Sequence, residues 1–156
     1  MSKSLKRVRH ALQEAGLNVD VLEMASSTRT AEEAAAAAGC ALDQIVKSII
    51  FRGKETGHVR LFLTAGGNRV DAAKASLLAG EPLGRADAAL VRAETGFAIG
   101  GVAPVGLIST VPAWMDPRLD AFDVVWAAAG TPRHIFSIAP DLLARLSGAQ
   151  RAEFTA

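Results

Sequence analysis

The chain has 156 residues, of which 50% are hydrophobic and 21% are charged, a composition typical of one globular domain with a buried core. Its 17 lysines and arginines against 16 aspartates and glutamates disfavour a protein that holds nucleic acid mainly by bulk electrostatics. A single cysteine excludes an internal disulfide, and no long apolar run or signal-peptide pattern occurs, so we expect a cytoplasmic protein without a membrane span.

The first predicted element is an amphipathic helix over residues 3–15 that ends at Gly16. Leu5, Val8 and Leu12 recur at helical spacing and should face the core. The opposite face carries the basic residues Lys3, Lys6, Arg7 and His10. We interpret this face as solvated, with a nucleic-acid contact as the alternative.

The remaining elements follow from alternation, capping residues and turn signals. The run NVDVLEM predicts a strand through Met24, and the alanine-rich run after it predicts a helix that is capped by Thr28 or Thr30 and ends at Gly39. The later predictions are a hairpin within 44–67, helices within 70–80 and 85–96, strands within 105–112, 121–128 and 131–139, and a helix over 140–148. We expect the residues after this last helix to be loose.

Strands and helices are mixed without the regular alternation of a doubly wound fold. We therefore predict an α+β fold, with a mixed β-sheet that curls toward a barrel and is flanked by helices. No linker, repeat or composition shift divides the chain, so we expect residues 1–156 to form a single domain with a core over about 3–150.

The segment TGFAIGGVAPVGLIS, residues 95–109, contains four glycines and a proline. Gly101 and Gly106 have the spacing of a phosphate-binding P-loop, but Leu107 and Ile108 occupy the positions where that loop needs Lys and then Ser or Thr. A dinucleotide-binding GxGxxG pattern after a strand is missing as well. Two interpretations of this segment remain: a tight structural turn, or a stretch of backbone that lines the site of a small ligand.

The sequence indicates neither a metal nor a cofactor. His10, His58 and His134 are far apart and match no metal-ligand spacing. We interpret Cys40 as a small core residue at a helix end rather than as a catalytic thiol. No serine has the GxSxG arrangement of a hydrolase nucleophile.

Lys47 interrupts the apolar strand QIVKSIIF, where period-two alternation puts it on one face with Ile49 and Phe51. One interpretation is a lysine at a strand start whose stem packs while its amine reaches solvent. The other is a cation placed in a pocket, where it binds an anion or a polarised carbonyl. The residues alone leave both interpretations open.

Five motifs occur in order over residues 3–150, and they are STRTAEEAAAAAG, QIVKSIIF, TAGGNRVDAAKA, TGFAIGGVAPVG and WAAAGTPRHIF. Together they resemble the YbaK/ProX family of aminoacyl-tRNA deacylases, which are free-standing relatives of the editing domain inserted in bacterial prolyl-tRNA synthetases. The resemblance implies the family's α+β fold. It also implies a trans-editing hydrolase that cleaves the ester joining a wrong amino acid to the tRNA 3′ adenosine.

The resemblance further implies that Lys47 is the functional lysine and that Gly100–Pro104 matches the family's GxxxP loop. A water positioned by the backbone of Gly100 and Gly101 would attack the ester carbonyl, while Lys47 holds the 3′ end or stabilises charge. Glycine lets the main chain approach a ligand, and proline stiffens the loop. The implied substrate-binding positions are Thr28, Arg29, Asn68, Arg69, Val102, Ala103, Pro104 and Gly130.

Some of these positions have another interpretation. Thr28, Arg29, Asn68 and Arg69, like Asp71 in the same motif, could equally be cap or turn residues. His134 is tempting as a catalytic base, but we set it aside because relatives with the other motifs need not carry histidine there.

Val102 and Ala103 are small and apolar, which favours a small apolar amino acid. The resemblance implies proline tRNA as the carrier, and we expect the amino acid removed to be alanine, 2-aminobutyrate or cysteine. The expected partner is the 3′ acceptor end of aminoacyl-tRNA, with prolyl-tRNA synthetase as a further candidate, while membrane and DNA partners are not expected. The alternative function is a catalytically inactive module of the same fold that binds tRNA or a small ligand.

Overall fold

The structure, a computed structural model, describes residues 2–24 and 30–156. Within these residues the α-helices are α1 (Lys3–Glu14), α2 (Ala31–Ala38), α3 (Ala72–Ala79), α4 (Ala88–Thr95) and α5 (Pro140–Ser147). The strands are β1 (Val21–Glu23), β2 (Val46–Gly53), β3 (Val59–Ala65), β4 (Leu83–Arg85), β5 (Ala113–Met115), β6 (Val125–Ala128), β7 (His134–Ile138) and β8 (Gln150–Arg151). Two 3₁₀ turns lie at Leu42–Gln44 and Pro117–Ala121.

The strands form two sheets. The larger has the order β4-β2-β3-β5-β8 and is mixed, because β2 pairs antiparallel with β3 and β4 while β5 pairs parallel with β3 and β8. The smaller has the order β1-β7-β6 and is antiparallel. A single parallel bridge between Ile45 and Trp126 joins the two sheets where β2 begins. The predicted mixed sheet with flanking helices is confirmed, although among the described residues it does not close into a barrel.

The predicted helices form where their caps indicated. In α1, the side chain of Ser2 accepts a hydrogen bond from the Leu5 N–H, and Leu5, Val8 and Leu12 are buried as the helical spacing required. In α2, Thr30 is the N-cap and accepts from the Glu33 N–H. None of the described helices has the length and apolar character needed to cross a membrane.

The strand predicted within 105–112 is wrong, because this segment is a loop. Gly106 has a φ of +74°, which interrupts an extended run, and its carbonyl accepts a hydrogen bond from the Arg7 side chain. The strand in this region is β5, which begins at Ala113 and lies beside Leu61 of β3. Apolar character alone therefore indicated a strand that the glycine and the tertiary contact prevent.

The prediction of a loose C-terminus is also wrong. Phe154 is fully buried, and its ring packs edge-on against Phe62 at 5.1 Å between centroids. Its carbonyl accepts a hydrogen bond from the Asp71 N–H at 2.7 Å, and Thr155 bridges to Val70. The tail closes the second core cluster, on the face of the larger sheet that Phe62 occupies.

Candidate active site

A cleft of about 240 Å³ opens between α2, the first half of β2, β6, β7 and the loop after α4. Its apolar lining includes Ala31 and Ala34 from α2, Ile45 before β2 and Trp126 from β6. The polar residues that line it are Thr30, Lys47, Ser48, Thr131 and His134. Apolar and polar surface line the cleft in similar amounts, so it offers a small molecule both packing and hydrogen-bonding partners.

The structure brings only part of the predicted site together. Lys47, Gly100 and Val102 line the cleft, while Ala103 and Pro104 are buried further along the same loop. Arg69 is exposed and outside the cleft lining. Two further predicted substrate-binding residues, Thr28 and Arg29, lie outside the described residues.

Lys47 lies on β2, opposite Thr64 of β3, and is half-buried. Its Nζ donates a hydrogen bond of 2.5 Å to the backbone carbonyl of Asn68. An ammonium group carries three N–H donors, so two of them remain for a ligand. Lys47 is therefore anchored at the wall of the cleft rather than extended freely into solvent.

Asp116 fixes the turn that carries the Asn68 carbonyl. This carboxylate is 2% exposed, and its Oδ2 accepts hydrogen bonds from the Asn68 side chain at 2.9 Å and from the Ala65 N–H at 3.1 Å. Its Oδ1 accepts from the Arg118 N–H at 2.9 Å. Asn68 thus contacts Lys47 through its main-chain carbonyl, while its side chain is bound by Asp116.

Asp43 holds the same turn from the other side. Its Oδ1 accepts from the Gly67 N–H at 2.8 Å, and its Oδ2 accepts from Arg118 Nε at 2.9 Å. The Arg118 hydrogen bond lowers the pKa of the Asp43 carboxyl below its ordinary value, and the Gly67 N–H and the Lys47 charge act in the same direction. The Leu42–Gln44 turn approaches so closely that a Cβ on Gly66 would lie 2.2 Å from the Leu42 carbonyl oxygen.

The glycine loop offers backbone rather than side chains to the cleft. Gly100 has a φ of +92° and open space where a Cβ would point. In contrast, a Cβ on Gly101 would lie 2.9 Å from the main chain of Thr131, and the Gly101 N–H donates to the Ala98 carbonyl at 3.0 Å. In the part of the chain that the structure describes, the N–H groups of Gly100 and Val102 have no hydrogen-bond partner. These two N–H groups are therefore not used by the described part of the protein, whereas that of Gly101 is occupied.

Position 130 requires glycine because of its close packing against α1 and Phe97, not because of a contact with the cleft. A Cβ there would lie 2.8 Å from the Ser4 carbonyl oxygen of α1 and 3.1 Å from the ring of Phe97. Its φ is +95°, which also requires glycine. The next residue, Thr131, lines the cleft, so Gly130 borders it only through its neighbour.

His134 was set aside from the sequence, yet its side chain lines the cleft. Its Nδ1 lies 2.7 Å from the Thr131 hydroxyl oxygen, which itself accepts from the Arg133 N–H. Its Nε2 lies 4.0 Å from a carboxylate oxygen of Glu23. His134 therefore brings an imidazole to the wall of the cleft, with Thr131 beside one ring nitrogen and Glu23 near the other.

Ser48 is the site residue that sequence reasoning missed. It lines the cleft, and its Oγ is buried without a hydrogen-bond partner among the described residues. An unsatisfied buried hydroxyl costs about 1–3 kcal/mol of stability. Because this oxygen has almost no exposed surface, it is not a group that the cleft presents to a ligand. The available signal was a serine beside the lysine in an otherwise apolar strand.

No group of three or more His, Cys, Asp and Glu side chains in the described residues could hold a metal ion. Cys40 is half-buried beside the cluster of Ala34, Ala35 and Ile45, and burial raises the pKa of its thiol. A thiol with a raised pKa is a poor nucleophile at neutral pH. Among the described residues, the polar groups of the cleft are therefore one lysine, one histidine, hydroxyl groups and backbone.

Comparison with known proteins gives consistent matches over nearly the whole chain. The family profile of the aminoacyl-tRNA editing domain matches residues 25–146. The crystal structure of a candidate trans-editing enzyme for prolyl tRNA synthetase is 47% identical, with a TM-score of 0.92, and the match covers 100% of this chain and 99% of the other. A structure from the computational grafting of linear epitopes onto scaffold proteins is 44% identical, with a TM-score of 0.91 over 100% and 99% of the two chains. The uncharacterized protein YwhH of Bacillus subtilis is 33% identical over 144 residues, which are 92% of this chain and 91% of YwhH.

Proposed function

Because the chain belongs to the aminoacyl-tRNA editing domain family, we propose that it hydrolyses the ester that joins a wrong amino acid to the 3′ end of a tRNA. The observation that carries this proposal is that Lys47, whose ammonium keeps two N–H donors, lines the same cleft as Gly100 and Val102, whose N–H groups have no partner among the described residues. Each of these groups suits an ester that becomes an oxyanion.

Charge stabilisation by the backbone is the core of the proposed mechanism. A water oxygen attacks the ester carbonyl carbon, and the carbonyl oxygen that becomes negative accepts hydrogen bonds from the Gly100 and Val102 N–H groups. One such donor typically accelerates the chemical step by about 10²–10³-fold. The bond from the carbonyl carbon to the ribose oxygen then breaks, the proton from water passes to that oxygen, and the amino acid and the tRNA 3′-hydroxyl are released.

Lys47 positions the substrate in this mechanism. The two N–H donors of Lys47 that Asn68 does not use bind the 3′ end of the tRNA and stabilise negative charge. Gly101 contributes shape rather than a donor, since its N–H is committed to Ala98.

The size and lining of the cleft support a small amino acid as the group removed. A volume of about 240 Å³ is below the range of about 300–1,000 Å³ for drug-sized ligand pockets. Ala31, Ala34, Ile45 and Val102 are part of its apolar lining. We propose alanine, 2-aminobutyrate or cysteine as the amino acid, although an apolar pocket separates neighbours in this series by only about 10–200-fold per methylene.

Proline tRNA is the proposed carrier, because a structure 47% identical to this chain is that of a candidate trans-editing enzyme for prolyl tRNA synthetase. The prolyl-tRNA synthetase that supplies the mischarged tRNA is the proposed functional partner, and the cytoplasm is the proposed location. No cofactor enters the proposed reaction.

Deacylation assays test the proposal with proline tRNA carrying alanine, cysteine, serine, 2-aminobutyrate or proline. We expect hydrolysis of a small mischarged residue and not of proline, and a loss of about 10²-fold or more in Lys47→Ala. Lys54→Ala is the control, because Lys54 is an exposed lysine just beyond the far end of the same strand. Full activity in a folded Lys47→Ala protein contradicts the role of Lys47. Absence of hydrolysis with retained tRNA binding instead supports the inactive binding module.

A further inference from the structure

Arg7 of α1 holds both ends of the loop that carries Gly100 and Val102. Its Nη2 donates to the Gly96 carbonyl at 2.6 Å, and its Nε donates to the Gly106 carbonyl at 2.8 Å. The guanidinium also lies over the Phe97 ring, 4.6 Å from the centroid. One side chain therefore closes residues 96–106 into a loop, which we call the Arg7 clamp. The prediction that Arg7 lies on a solvated basic face is therefore wrong.

Gly96 and Gly106, at the two ends of this loop, leave the space that Arg7 occupies. A Cβ on Gly96 would lie 2.6 Å from Arg7 Nη2, and a Cβ on Gly106 would lie 3.1 Å from the Arg7 carbonyl oxygen. Both glycines also have positive φ, at +83° and +74°. Both ends of the loop thus lie against Arg7, Gly96 against its side chain and Gly106 against its main chain.

The clamp bears directly on the groups that face the cleft. The guanidinium is a planar fork of five donors, and two of its nitrogens are used on carbonyls ten residues apart in sequence. A lysine ammonium has no such fork. Between the two fixed carbonyls, Gly100 and Val102 line the cleft, and their N–H groups have no partner among the described residues. The family match begins at residue 25, so α1 and Arg7 lie outside the matched region.

We propose that Arg7 is a positioning residue that holds the Gly100 and Val102 N–H groups where the ester oxyanion forms. The expected effect of Arg7 on the reaction rate rests on the proposed function. Loss of the clamp lets the loop drift, and a displacement of 1 Å lowers the chemical step by about 10²-fold. Because Arg7 does not line the cleft, its loss lowers kcat with little change in KM.

Kinetic assays distinguish the clamp from a charge contact to tRNA. The variants are Arg7→Gln, Arg7→Lys, which keeps the charge without the fork, and Lys6→Gln, which removes an equal charge from an exposed residue of the same helix. We expect a fall in kcat in Arg7→Gln, a smaller fall in Arg7→Lys and normal rates in Lys6→Gln. A raised KM in both Arg7→Gln and Lys6→Gln, with Arg7→Lys normal, overturns the clamp in favour of a charge contact.

Amide hydrogen exchange tests the clamp without any substrate. In Arg7→Gln we expect faster exchange within residues 96–106, with the protection of β2 and β3 unchanged. Unchanged exchange in the loop, or a uniform rise throughout the protein, overturns the inference. If the wild-type protein hydrolyses no aminoacyl-tRNA, the proposed function fails, and the exchange experiment still decides whether the clamp exists.

Discussion

Replacing Gly101 by alanine adds one methyl group at the tightest point behind the cleft. The new Cβ would lie 2.9 Å from both the carbonyl carbon and the Cα of Thr131, and 3.1 Å from its nitrogen. Carbon atoms prefer about 3.5–4.0 Å, so the two backbones must separate by about 0.6 Å or more. No side chain can rotate to relieve this contact, because every atom that the methyl group meets belongs to the main chain.

The expected cost follows from that displacement. Overpacking of this kind lowers the free energy of unfolding by about 1–3 kcal/mol. For a protein of this size each kcal/mol lowers Tm by about 2–4 °C. Gly101 lies between Gly100 and Val102, so the shift also moves the wall of the cleft, and a shift approaching 1 Å lowers kcat/KM by up to about 10²-fold.

The assay combines thermal unfolding with deacylation of mischarged proline tRNA. Gly84→Ala is the matched control, because its Cβ would lie 3.1 Å from Cε of Lys54, the flexible end of a side chain. We expect Gly84→Ala to keep its activity and nearly all of its stability. A Gly101→Ala protein with wild-type Tm and wild-type kcat/KM would refute the reasoning, since the loop would then have room behind it.

Two further predictions concern the groups behind Lys47. Asp116→Ala removes the acceptor of the Ala65 N–H, the Asn68 side chain and the Arg118 N–H. Because each donor left without a partner costs about 1–3 kcal/mol, urea unfolding should show a free energy of unfolding lower by about 3 kcal/mol or more. Deacylation should also slow. Wild-type stability and activity in this variant would contradict that result. The Asp43 carboxyl has a lowered pKa in the folded protein, so its stabilisation is complete above the ordinary aspartate pKa of about 3.9 and is lost as pH falls through the lower folded value. The free energy of unfolding of wild type relative to Asp43→Asn should therefore be constant above about pH 5 and shrink below about pH 4, and a difference independent of pH would contradict this assignment.

Local signals predicted the helices and most strands correctly because their causes are local. Thr30 caps α2 through an N–H three residues away, and Pro140 begins α5 at a position where its missing N–H costs nothing. The errors occur where distant residues decide the structure. The loop over 105–112 depends on Arg7, and the ordered tail depends on Phe62, and neither contact leaves a mark in the neighbouring sequence.

The candidate site likewise has features that the sequence predicted and features that depend on distant residues. Lys47 and the glycine loop were accessible from the motifs, and the structure places Lys47, Gly100 and Val102 on one cleft. The hydrogen bond that anchors Lys47 could not be predicted from the sequence. Its acceptor is the Asn68 carbonyl, and Asn68 is held in turn by the carboxylate of Asp116, 48 residues further along the chain. Ser48 was visible but carried no pattern that separated it from an ordinary strand residue.

The parallel pairing of β5 with β3 and with β8 sets an order of events during synthesis. The larger sheet cannot be completed until Gln150–Arg151 have left the ribosome, and Phe62 is not covered until Phe154 follows. Contacts of such long sequence separation slow folding and leave apolar surface open in incomplete chains. A nascent chain stalled before these residues would expose Phe62 and the stacked Trp114, and would depend on chaperones to stay unaggregated.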